Sequence, residues 1–239
     1  MYNILMKALF IFAHPDDETF ATGGTIAKLT RAGNEVQIIS ATTGQAGMTG
    51  EYGEITPEEL GKIRELEHGK AGFILGVSQI RYLDLMDGEV DKTSVEDLVN
   101  KLLPLIKEIN PDIVITFEKN GISNHPDHKQ ISKAATKAFK DWVKDTEKHV
   151  RLYHIGVPQS YMDAYEKNGL SNKAFGQTPG VPDENFTTII DISDVFDLKD
   201  KAAKEHKSQK SDWDRISKRM KHVDLKKEYF ELIAENSLI

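Results

Sequence analysis

Short apolar runs alternate along the chain with longer segments whose apolar residues recur at helical spacing. Four of the runs predict buried strands, at residues 8–13, "EVQIISAT", "QIRYLDL" and "DIVITF". The segments between them predict helices at "TFATGGTIAKLTRAG", 56–75 and 94–109. This βαβαβαβ order is typical of an α/β fold, with right-handed crossovers and a mostly parallel, Rossmann-like sheet flanked by helices.

The rest of the chain continues this pattern less regularly. A helix at 126–144 and a strand at "RLYHIGV" precede residues 158–185, which show no periodicity and are expected to form a lid loop beside a site. A strand at "TTIIDI" then leads into a helical region at 194–239. Because the chain has no internal repeat or low-complexity tract, we expect residues 1–239 to form one domain.

Composition and charge favour neither a nucleic acid nor a membrane as the partner. The net charge of −7 and the pI near 5.7 give no general attraction to nucleic acid. No apolar segment approaches the roughly 20 residues that span a bilayer, and the N-terminal run lacks the basic region and cleavage site of a signal peptide. We therefore expect a cytoplasmic protein with a small-molecule substrate, and the sequence leaves homo-oligomerisation open.

The stretch "FIFAHPDDETF" places one histidine and three carboxylates directly behind the first predicted strand. Neighbouring carboxylates repel one another and lose water when they are partly buried, so this turn needs a positive charge. The chain contains no cysteine, which leaves histidine and carboxylate side chains as the metal ligands available. His14 and Asp17, three positions apart at the turn, can face one point.

A second histidine pair, His125 and His128, stands at the predicted start of the helix after the fourth strand. The ligand crevice of such a sheet lies at the carboxyl ends of its strands, and both turns are expected at that edge. Two histidines and one carboxylate, with a fourth position open, are the ligands of many catalytic zinc ions. We therefore predict that His14, Asp17 and His128 hold a divalent metal.

Two further side chains of these turns are available for catalysis. Hydrolysis of an amide needs a group that takes a proton from water and returns it to the leaving amine, and a second group that stabilises the oxyanion. We predict that Asp16 is the general base and then the acid, and that His125 stabilises the oxyanion as an imidazolium. Zinc is the expected metal, with iron(II) or another divalent ion as the alternative.

Each motif alone has a simpler explanation. Acidic residues are common in the first turn of a helix, as in "HPDDE", and proline is common at the first helical position, as in "HPDH". Both motifs occur together at the expected strand ends, and this co-occurrence favours the metal site.

These two motifs make the chain resemble the LmbE-like/PIG-L family of metal-dependent N-deacetylases. The family motif A-H-P-D-D-E corresponds to residues 13–18, and the motif H-P-D-H corresponds to residues 125–128. Weaker matches are "TGQAG", the R-x-x-E pattern, "LGV", "DG" and "HKSQ", and the resemblance covers most of residues 7–210. It implies a zinc-type hydrolase that removes the acetyl group from an N-acetylglucosamine-containing substrate.

The resemblance also implies roles for residues outside the two motifs. Arg64 is expected to bind the substrate, through sugar hydroxyls or an acidic aglycone, and Glu67, one helical turn on, is expected to orient it. The "HKSQ" match suggests that His206 lies near the site, although a solvated position in a charged helix fits equally well. Gln45 and Asn124 depart from the residues that relatives often have, so the aglycone stays open.

Three alternatives to an N-acetylglucosamine deacetylase are compatible with the sequence. The first is metal-dependent hydrolysis of another conjugate, an amide or a phosphoester; a phosphoester would favour a second metal, for which no obvious extra ligand cluster exists. The second is a catalytically silent, metal-dependent sugar-binding module, which would not require Asp16 and His125. The third is an inert domain in which the motifs are structural.

Overall fold

The computed structural model describes residues 5–171, 174–176 and 178–236. Its strands are β1 (Lys7–Phe12), β2 (Glu35–Thr42), β3 (Gln79–Leu85), β4 (Ile113–Phe117), β5 (Arg151–Gly156), β6 (Thr188–Asp191) and β7 (Lys227–Glu235). Its α-helices are α1 (Asp17–Arg31), α2 (Pro57–Leu75), α3 (Val95–Ile109), α4 (Pro126–Trp142), α5 (Gln159–Lys167), α6 (Phe196–Ala203) and α7 (Lys210–Lys218). Short 3₁₀ turns complete the connections.

The strands form one sheet in the order β3-β2-β1-β4-β5-β7-β6. Strands β1 to β5 pair in parallel, while β7 pairs antiparallel with both β5 and β6. The chain moves outward from β1 to β3 and then returns to the other side of β1 with β4. This reversal confirms the predicted α/β fold with a mostly parallel sheet, and it opens a crevice between the carboxyl ends of β1 and β4.

The helices fall into two groups that cover the sheet. Helices α3 and α4 pack on each other, whereas α6 packs on α1 and α2. Right-handed crossovers place these two groups on opposite faces. The apolar runs of β1, β2 and β4 are consequently buried almost throughout, as continuous apolar strands require. None of the helices in the described residues is both long enough and apolar enough to cross a membrane.

Local sequence signals fix the ends of α2 and α3 where they were predicted. The Thr56 hydroxyl accepts a hydrogen bond from the Glu59 amide at 3.2 Å, and the Glu59 carboxylate accepts one from the Thr56 amide at 2.8 Å. Gly76 ends α2 in the left-handed conformation, with φ of 79°. The side chain of Ser94 caps α3 in the same manner as Thr56.

The expectation of a helical region over 194–239 is wrong in its last part. Helices α6 and α7 lie in this region, but residues Lys227–Glu235 form β7. Aromatic and β-branched side chains such as Tyr229, Phe230 and Ile233 favour extended backbone, and β5 provides an edge with which they pair. The many charged residues of this stretch hide the apolar pattern of a strand. Its strand structure depends on pairing with β5, which is distant in the sequence.

The stretch 158–185 contains more regular structure than predicted, since α5 occupies its beginning. Of this stretch, Asn172, Lys173 and Gln177 lie outside the described residues. Phe175 contacts His125, with ring centroids 4.3 Å apart, so the stretch does border the candidate site. Closure of this segment over the site stays a prediction.

Candidate active site

The two histidine-containing turns meet at the crevice between β1 and β4. The first turn follows β1 and carries His14, Asp16 and Asp17, while the second precedes α4 and carries His125 and His128. All five side chains line one cavity of about 380 Å³. A cavity of this size is within the range of pockets that bind small molecules.

Donor atoms of three side chains come together in this cavity. His14 Nδ1 lies 3.1 Å from His128 Nε2, Asp17 Oδ2 lies 3.4 Å from His14 Nδ1, and Asp17 Oδ1 lies 3.3 Å from His128 Nε2. Zinc bonds of about 2.0–2.1 Å in a tetrahedral arrangement place neighbouring ligand atoms roughly 3.3 Å apart. The spacing of the three side chains therefore fits a divalent metal, and all three line the cavity.

Two carboxylates behind His14 set the orientation of its ring. His14 Nε2 lies 2.9 Å from Asp87 and 3.3 Å from Asp127, which are both buried. The Asp127 carboxylate also accepts the amide of Gly88 at 2.8 Å, and Asp87 accepts the amide of Ala46 at 3.1 Å. These contacts favour a proton on Nε2 and leave the Nδ1 lone pair facing the cavity, as in many metal-binding histidines.

The electrostatics of this cluster also favour a cation. Burial disfavours the charged form of His14, but hydrogen bonds to Asp127, Asp17 and Asp87 outweigh burial and raise its pKa well above the usual range. Burial likewise opposes ionisation of Asp17, yet the nearby charges of His128 and His14 hold its pKa below the usual range. The three carboxylates around His14 thus stabilise positive charge at this point, which is carried by a proton in the metal-free protein and which a metal ion would supply instead.

His128 has the complementary orientation. Its Nδ1 lies 2.9 Å from the carbonyl oxygen of Gly121, which favours a proton on Nδ1 and a lone pair on Nε2. The Phe117 ring stacks on the imidazole, with centroids 4.3 Å apart and planes 5° apart. Burial lowers the pKa of His128 to about 4, so the neutral form required of a metal ligand is favoured.

Two other groups of three side chains come close enough to share an ion: His14 with His125 and His128, and His14 with Asp87 and Asp127. The two aspartates already accept backbone amides, as described above. His125 Nδ1 accepts the amide of Asp127 at 3.2 Å, so this nitrogen is occupied as well. Asp17 also accepts a backbone amide, that of His14 at 2.8 Å, but it lies beside both His14 Nδ1 and His128 Nε2, whereas Asp87 and Asp127 contact His14 Nε2. This position favours Asp17 as the third donor.

Asp87 and Asp127 were not assigned roles from the sequence. Asp127 was visible only as the residue between the two histidines, and Asp87 only as part of the weak "DG" match. A usable signal existed for Asp87, because it follows β3 and therefore lies at the same sheet edge as the other turns. Asp127 had no comparable signal, since the contact with His14 depends on how α4 docks.

Asp16 lies beside the donor atoms in a strained backbone conformation, with φ of 111°. Its amide donates to Glu18 at 3.3 Å, and its carboxylate accepts a hydrogen bond from Arg64 at 3.2 Å. Burial raises the pKa of Asp16 well above its usual range, despite the opposing charge of Arg64, and the charges of Asp17 and Glu18 raise it further. A raised pKa suits a carboxylate that must exchange a proton near neutral pH.

Arg64, from helix α2, supports the turn that carries Asp16. Its guanidinium donates to the carbonyl oxygens of Pro15 at 2.6 Å and Gly44 at 2.9 Å, and only 3% of the residue is exposed. A side chain at Gly44, whose φ is 74°, would collide with the guanidinium, so the glycine-rich loop permits this close approach. Arg64 also lines the cavity. Its hydrogen bonds hold the turn that carries Asp16, and a contact between Arg64 and the substrate stays a prediction.

The expected contact between Glu67 and Arg64 is wrong. Glu67 accepts hydrogen bonds from the Tyr52 hydroxyl at 3.1 Å and from the amide and hydroxyl of Ser208 at 2.9 and 2.6 Å. Within the described part of the chain it makes no hydrogen bond or ion pair with Arg64. The "HKSQ" segment contacts α2 through Ser208, which donates to the Glu67 carboxylate. The spacing of Arg64 and Glu67 in the sequence could not reveal this contact.

A second cluster of histidines lies behind the turn, away from the cavity. Glu18 lies 3.3 Å from His68 Nε2 and 3.8 Å from His206 Nε2, and both histidines are fully buried. His68 Nδ1 continues the chain of contacts to the Tyr82 hydroxyl at 2.9 Å. His206 is therefore near the site, as the resemblance implied, but as part of the support behind it.

His125 lines the same cavity as Asp16. Its ring is edge-on to that of His14, with centroids 4.9 Å apart. Burial lowers the pKa of His125, and the charge of His14 lowers it further. Since its Nδ1 accepts the Asp127 amide, a neutral His125 carries its proton on Nε2 and can donate from that atom.

Comparison with known proteins places the chain among deacetylases. A family model described as PIG-L, GlcNAc-PI de-N-acetylase, matches residues 9–139. A protein from Saccharomonospora viridis, named 1D-myo-inositol 2-acetamido-2-deoxy-alpha-D-glucopyranoside deacetylase, is 30% identical over 231 residues, covering 84% of this chain and 84% of its own. A protein of the same name from Rhodococcus opacus is 28% identical, covering 85% of this chain and 81% of its own.

Solved structures share the fold over nearly the whole chain. The N,N'-diacetylchitobiose deacetylase from Pyrococcus horikoshii superposes with a TM-score of 0.69 at 25% identity, covering 97% of this chain and 85% of its own. A 4-carboxy-2-hydroxymuconate hydratase from Pseudomonas putida reaches a TM-score of 0.70 at 19% identity, covering 98% of each chain. The same fold therefore carries different reactions, and the site must decide between them.

Proposed function

The chain belongs to the PIG-L family and is an amide hydrolase of the deacetylase type, and we propose that it removes the acetyl group from the 2-amino group of an N-acetylglucosamine unit in a small molecule. The observation that carries this proposal is the convergence of His14, Asp17 and His128 beside Asp16 in one cavity. The deacetylase names of the relatives and of the Pyrococcus structure support the N-acetylglucosamine unit.

His14, Asp17 and His128 would hold one divalent cation, with zinc as the first expectation and iron(II) as the alternative. Such a cation supplies Lewis acidity, which lowers the pKa of water at the site towards neutrality and polarises the acetyl carbonyl. Asp87 and Asp127 keep the His14 ring in the orientation that this binding needs. The donor set of two imidazoles and one carboxylate matches catalytic zinc sites in other proteins.

Asp16 is the proton carrier in this proposal. As a carboxylate it accepts a proton from the water that attacks the acetyl carbonyl, and as an acid it donates that proton to the departing amine. Its raised pKa makes both steps accessible near neutral pH. Arg64 holds the carboxylate and the neighbouring Pro15 carbonyl, so that the strained turn keeps Asp16 aimed at the reacting atoms.

His125 stabilises the oxygen that gains negative charge during the attack. We assign this role to the neutral ring, donating from Nε2, because Nδ1 accepts the Asp127 amide and burial disfavours the charged form. This assignment differs from the imidazolium that the sequence suggested. A neutral donor still stabilises an oxyanion, as amide donors do in other hydrolases.

The experiment that tests this function is acetate release from a panel of N-acetylglucosamine derivatives. The panel is run with zinc-loaded wild type, chelated wild type and zinc-loaded Asp16→Asn, and the zinc content of each sample is measured. We expect release from loaded wild type only, with turnover of Asp16→Asn lower by roughly 10²–10⁴-fold at unchanged zinc content. Full turnover in Asp16→Asn would refute the assigned base, while sugar binding without release would indicate a silent binding module.

A further inference from the structure

The cavity continues beyond the catalytic residues to an end built by the C-terminal third of the chain. Tyr161, Tyr165 and Arg219 line this far end of the same cavity. Phe20 and Trp213 also line the cavity, and their rings stack on each other, with centroids 5.5 Å apart and planes 24° apart. Phe20 follows the catalytic turn in α1, and Trp213 precedes Arg219, so this aromatic pair forms an apolar wall, called here the sugar surface, that links the two parts of the cavity.

The far end contains one positive charge without a counterion. Besides Arg219, the cationic side chains there each pair with a carboxylate: Lys199 with Glu228, Arg215 with Asp212, and Lys227 with Asp224. Arg219 forms no ion pair among the residues that the structure describes. A charge that is largely removed from water without a partner is costly, so a ligand that supplies an anion is favoured there.

Contacts within the protein hold Arg219 in place but leave some of its hydrogen-bond donors unused. Its guanidinium lies 4.3 Å above the centre of the Tyr165 ring and donates to the Leu170 carbonyl oxygen at 3.2 Å. Its Nε is buried and has no hydrogen-bond partner in the described part of the protein. Burial lowers the pKa of Arg219, and the weaker attraction of Asp212, which is paired with Arg215, does not offset it.

The position of Arg219 relative to the sugar surface is set by helix geometry. Trp213, Ile216 and Arg219 recur every three residues along α7 and the turn that follows it, and all three line the cavity. Six residues of helix advance by about 9 Å, so the backbones of Trp213 and Arg219 are separated by about this length along the cavity wall. A sugar placed against the sugar surface would direct its aglycone towards Arg219.

We propose that Arg219 binds an anionic group, a carboxylate or a phosphate, on the aglycone of the substrate. The inference rests on the proposed function, because it takes the sugar to occupy the part of the cavity beside Asp16. Planar guanidinium groups bind both anions through paired hydrogen bonds. A neutral polyol could accept hydrogen bonds from Arg219 but would leave its charge uncompensated.

The test compares matched N-acetylglucosamine glycosides that differ only in aglycone charge. Methyl and carboxymethyl glycosides and N-acetylglucosamine 1-phosphate are hydrolysed by wild type, Arg219→Gln, Arg219→Lys and Lys218→Gln, and kcat/KM is obtained from acetate release. Lys218 is exposed and does not line the cavity, so Lys218→Gln removes the same charge from the neighbouring position. The two acidic substrates distinguish a carboxylate from a phosphate.

We expect wild type to prefer at least one acidic glycoside over the methyl glycoside by about 10-fold or more. Arg219→Gln should lose roughly 10–100-fold on that substrate and at most about twofold on the methyl glycoside, as expected for one charge-assisted hydrogen-bonding group. Arg219→Lys should recover part of the loss, and Lys218→Gln should retain the preference.

Failure of this inference differs from failure of the proposed function. Acetate release from all glycosides, without an acidic preference or with equal losses in Arg219→Gln, would overturn the anion site while the deacetylase stands. If no glycoside releases acetate, calorimetric binding of the carboxymethyl glycoside and the 1-phosphate decides the question. Binding that weakens at least about 10-fold in Arg219→Gln supports the anion site, and unchanged or undetectable binding overturns it.

Discussion

Two clusters of histidines and carboxylates meet at the turn after β1, and they differ in what they can bind. In the first, the donor atoms of His14, Asp17 and His128 converge within 3.1–3.4 Å and face the cavity. In the second, Glu18 lies between His68 and His206 in a row of contacts, and none of these three lines the cavity. Convergence and access to the cavity therefore distinguish the proposed metal site from the second cluster, because the two clusters have the same kinds of side chain.

The charges of the two clusters are balanced in different ways. Burial would raise the pKa of Glu18, but His68 and, more weakly, His206 outweigh it and lower the pKa to about 2. Burial lowers the pKa of His206 to about 3, so the second cluster holds its carboxylate within its own polar partners. The first cluster keeps an excess of carboxylates around His14, which a cation would balance.

The largest effect that sharpens this comparison is expected from Glu18→Gln. A carboxyl whose pKa falls from 4.5 to about 2 on folding stabilises the protein above pH 4.5, and this stabilisation is lost as the pH falls towards about 2. The difference of about 2.5 between these two pKa values corresponds to about 3 kcal/mol in the free energy of unfolding. Urea unfolding of metal-free wild type and variant should differ by about this amount at pH 7 and converge near pH 2.

The control for this measurement is Glu58→Gln, which removes an exposed glutamate paired with Lys62 at 2.6 Å. Exposed pairs contribute little, so this variant should unfold at nearly the same urea concentration as wild type. A stability difference between Glu18→Gln and wild type that does not change with pH would contradict the charged state assigned to Glu18.

The next effect concerns the connection between the turn and α2. Arg64→Lys removes the forked contacts to Pro15, Asp16 and Gly44, and we expect kcat to fall by roughly 10²-fold because the general base loses its position. The zinc content should not change, since Arg64 touches none of the proposed ligands. Arg81→Lys, at a partly buried arginine that pairs with Glu108 and does not line the cavity, is the matched control. Equal activities of the two variants would refute the positioning role.

A smaller effect is expected from Asp127→Asn, which weakens the support of His14 but keeps the proposed ligands. Partners of this kind typically change metal affinity by about 10–100-fold. Zinc affinity is measured by competition with a chromophoric chelator, with Glu18→Gln as the control from the second cluster. The comparison fails if both variants lose the same affinity, because the two clusters would then support the metal equally.

The sequence was sufficient for elements whose signals are local. Strands β1 to β5 are apolar or β-branched runs, and Thr56, Ser94 and Gly76 mark helix ends through side chain and backbone preferences that act within a few residues. Their alternation then implied the parallel sheet and the edge at which the two histidine turns meet. Strand β7 escaped prediction because it depends on an edge that β5 supplies.

Support around the site was harder to predict than the motifs. The contact between Asp127 and His14, the capture of Glu67 by Ser208, and the burial of His206 all arise from the docking of distant segments. The spacing of Arg64 and Glu67 suggested that Glu67 orients Arg64, whereas the two buried residues bind different partners. Such contacts leave no periodic trace in a single sequence.

The most direct test of the central claim is the zinc stoichiometry of three proteins: wild type, His128→Ala and His68→Gln. Each is dialysed against excess zinc and then buffer, checked for folding by circular dichroism and assayed by atomic emission. One zinc per chain in wild type and His68→Gln, and none in folded His128→Ala, is the result that the account predicts. Zinc retained by His128→Ala, or lost from folded His68→Gln, would contradict the assignment of the metal to the first cluster.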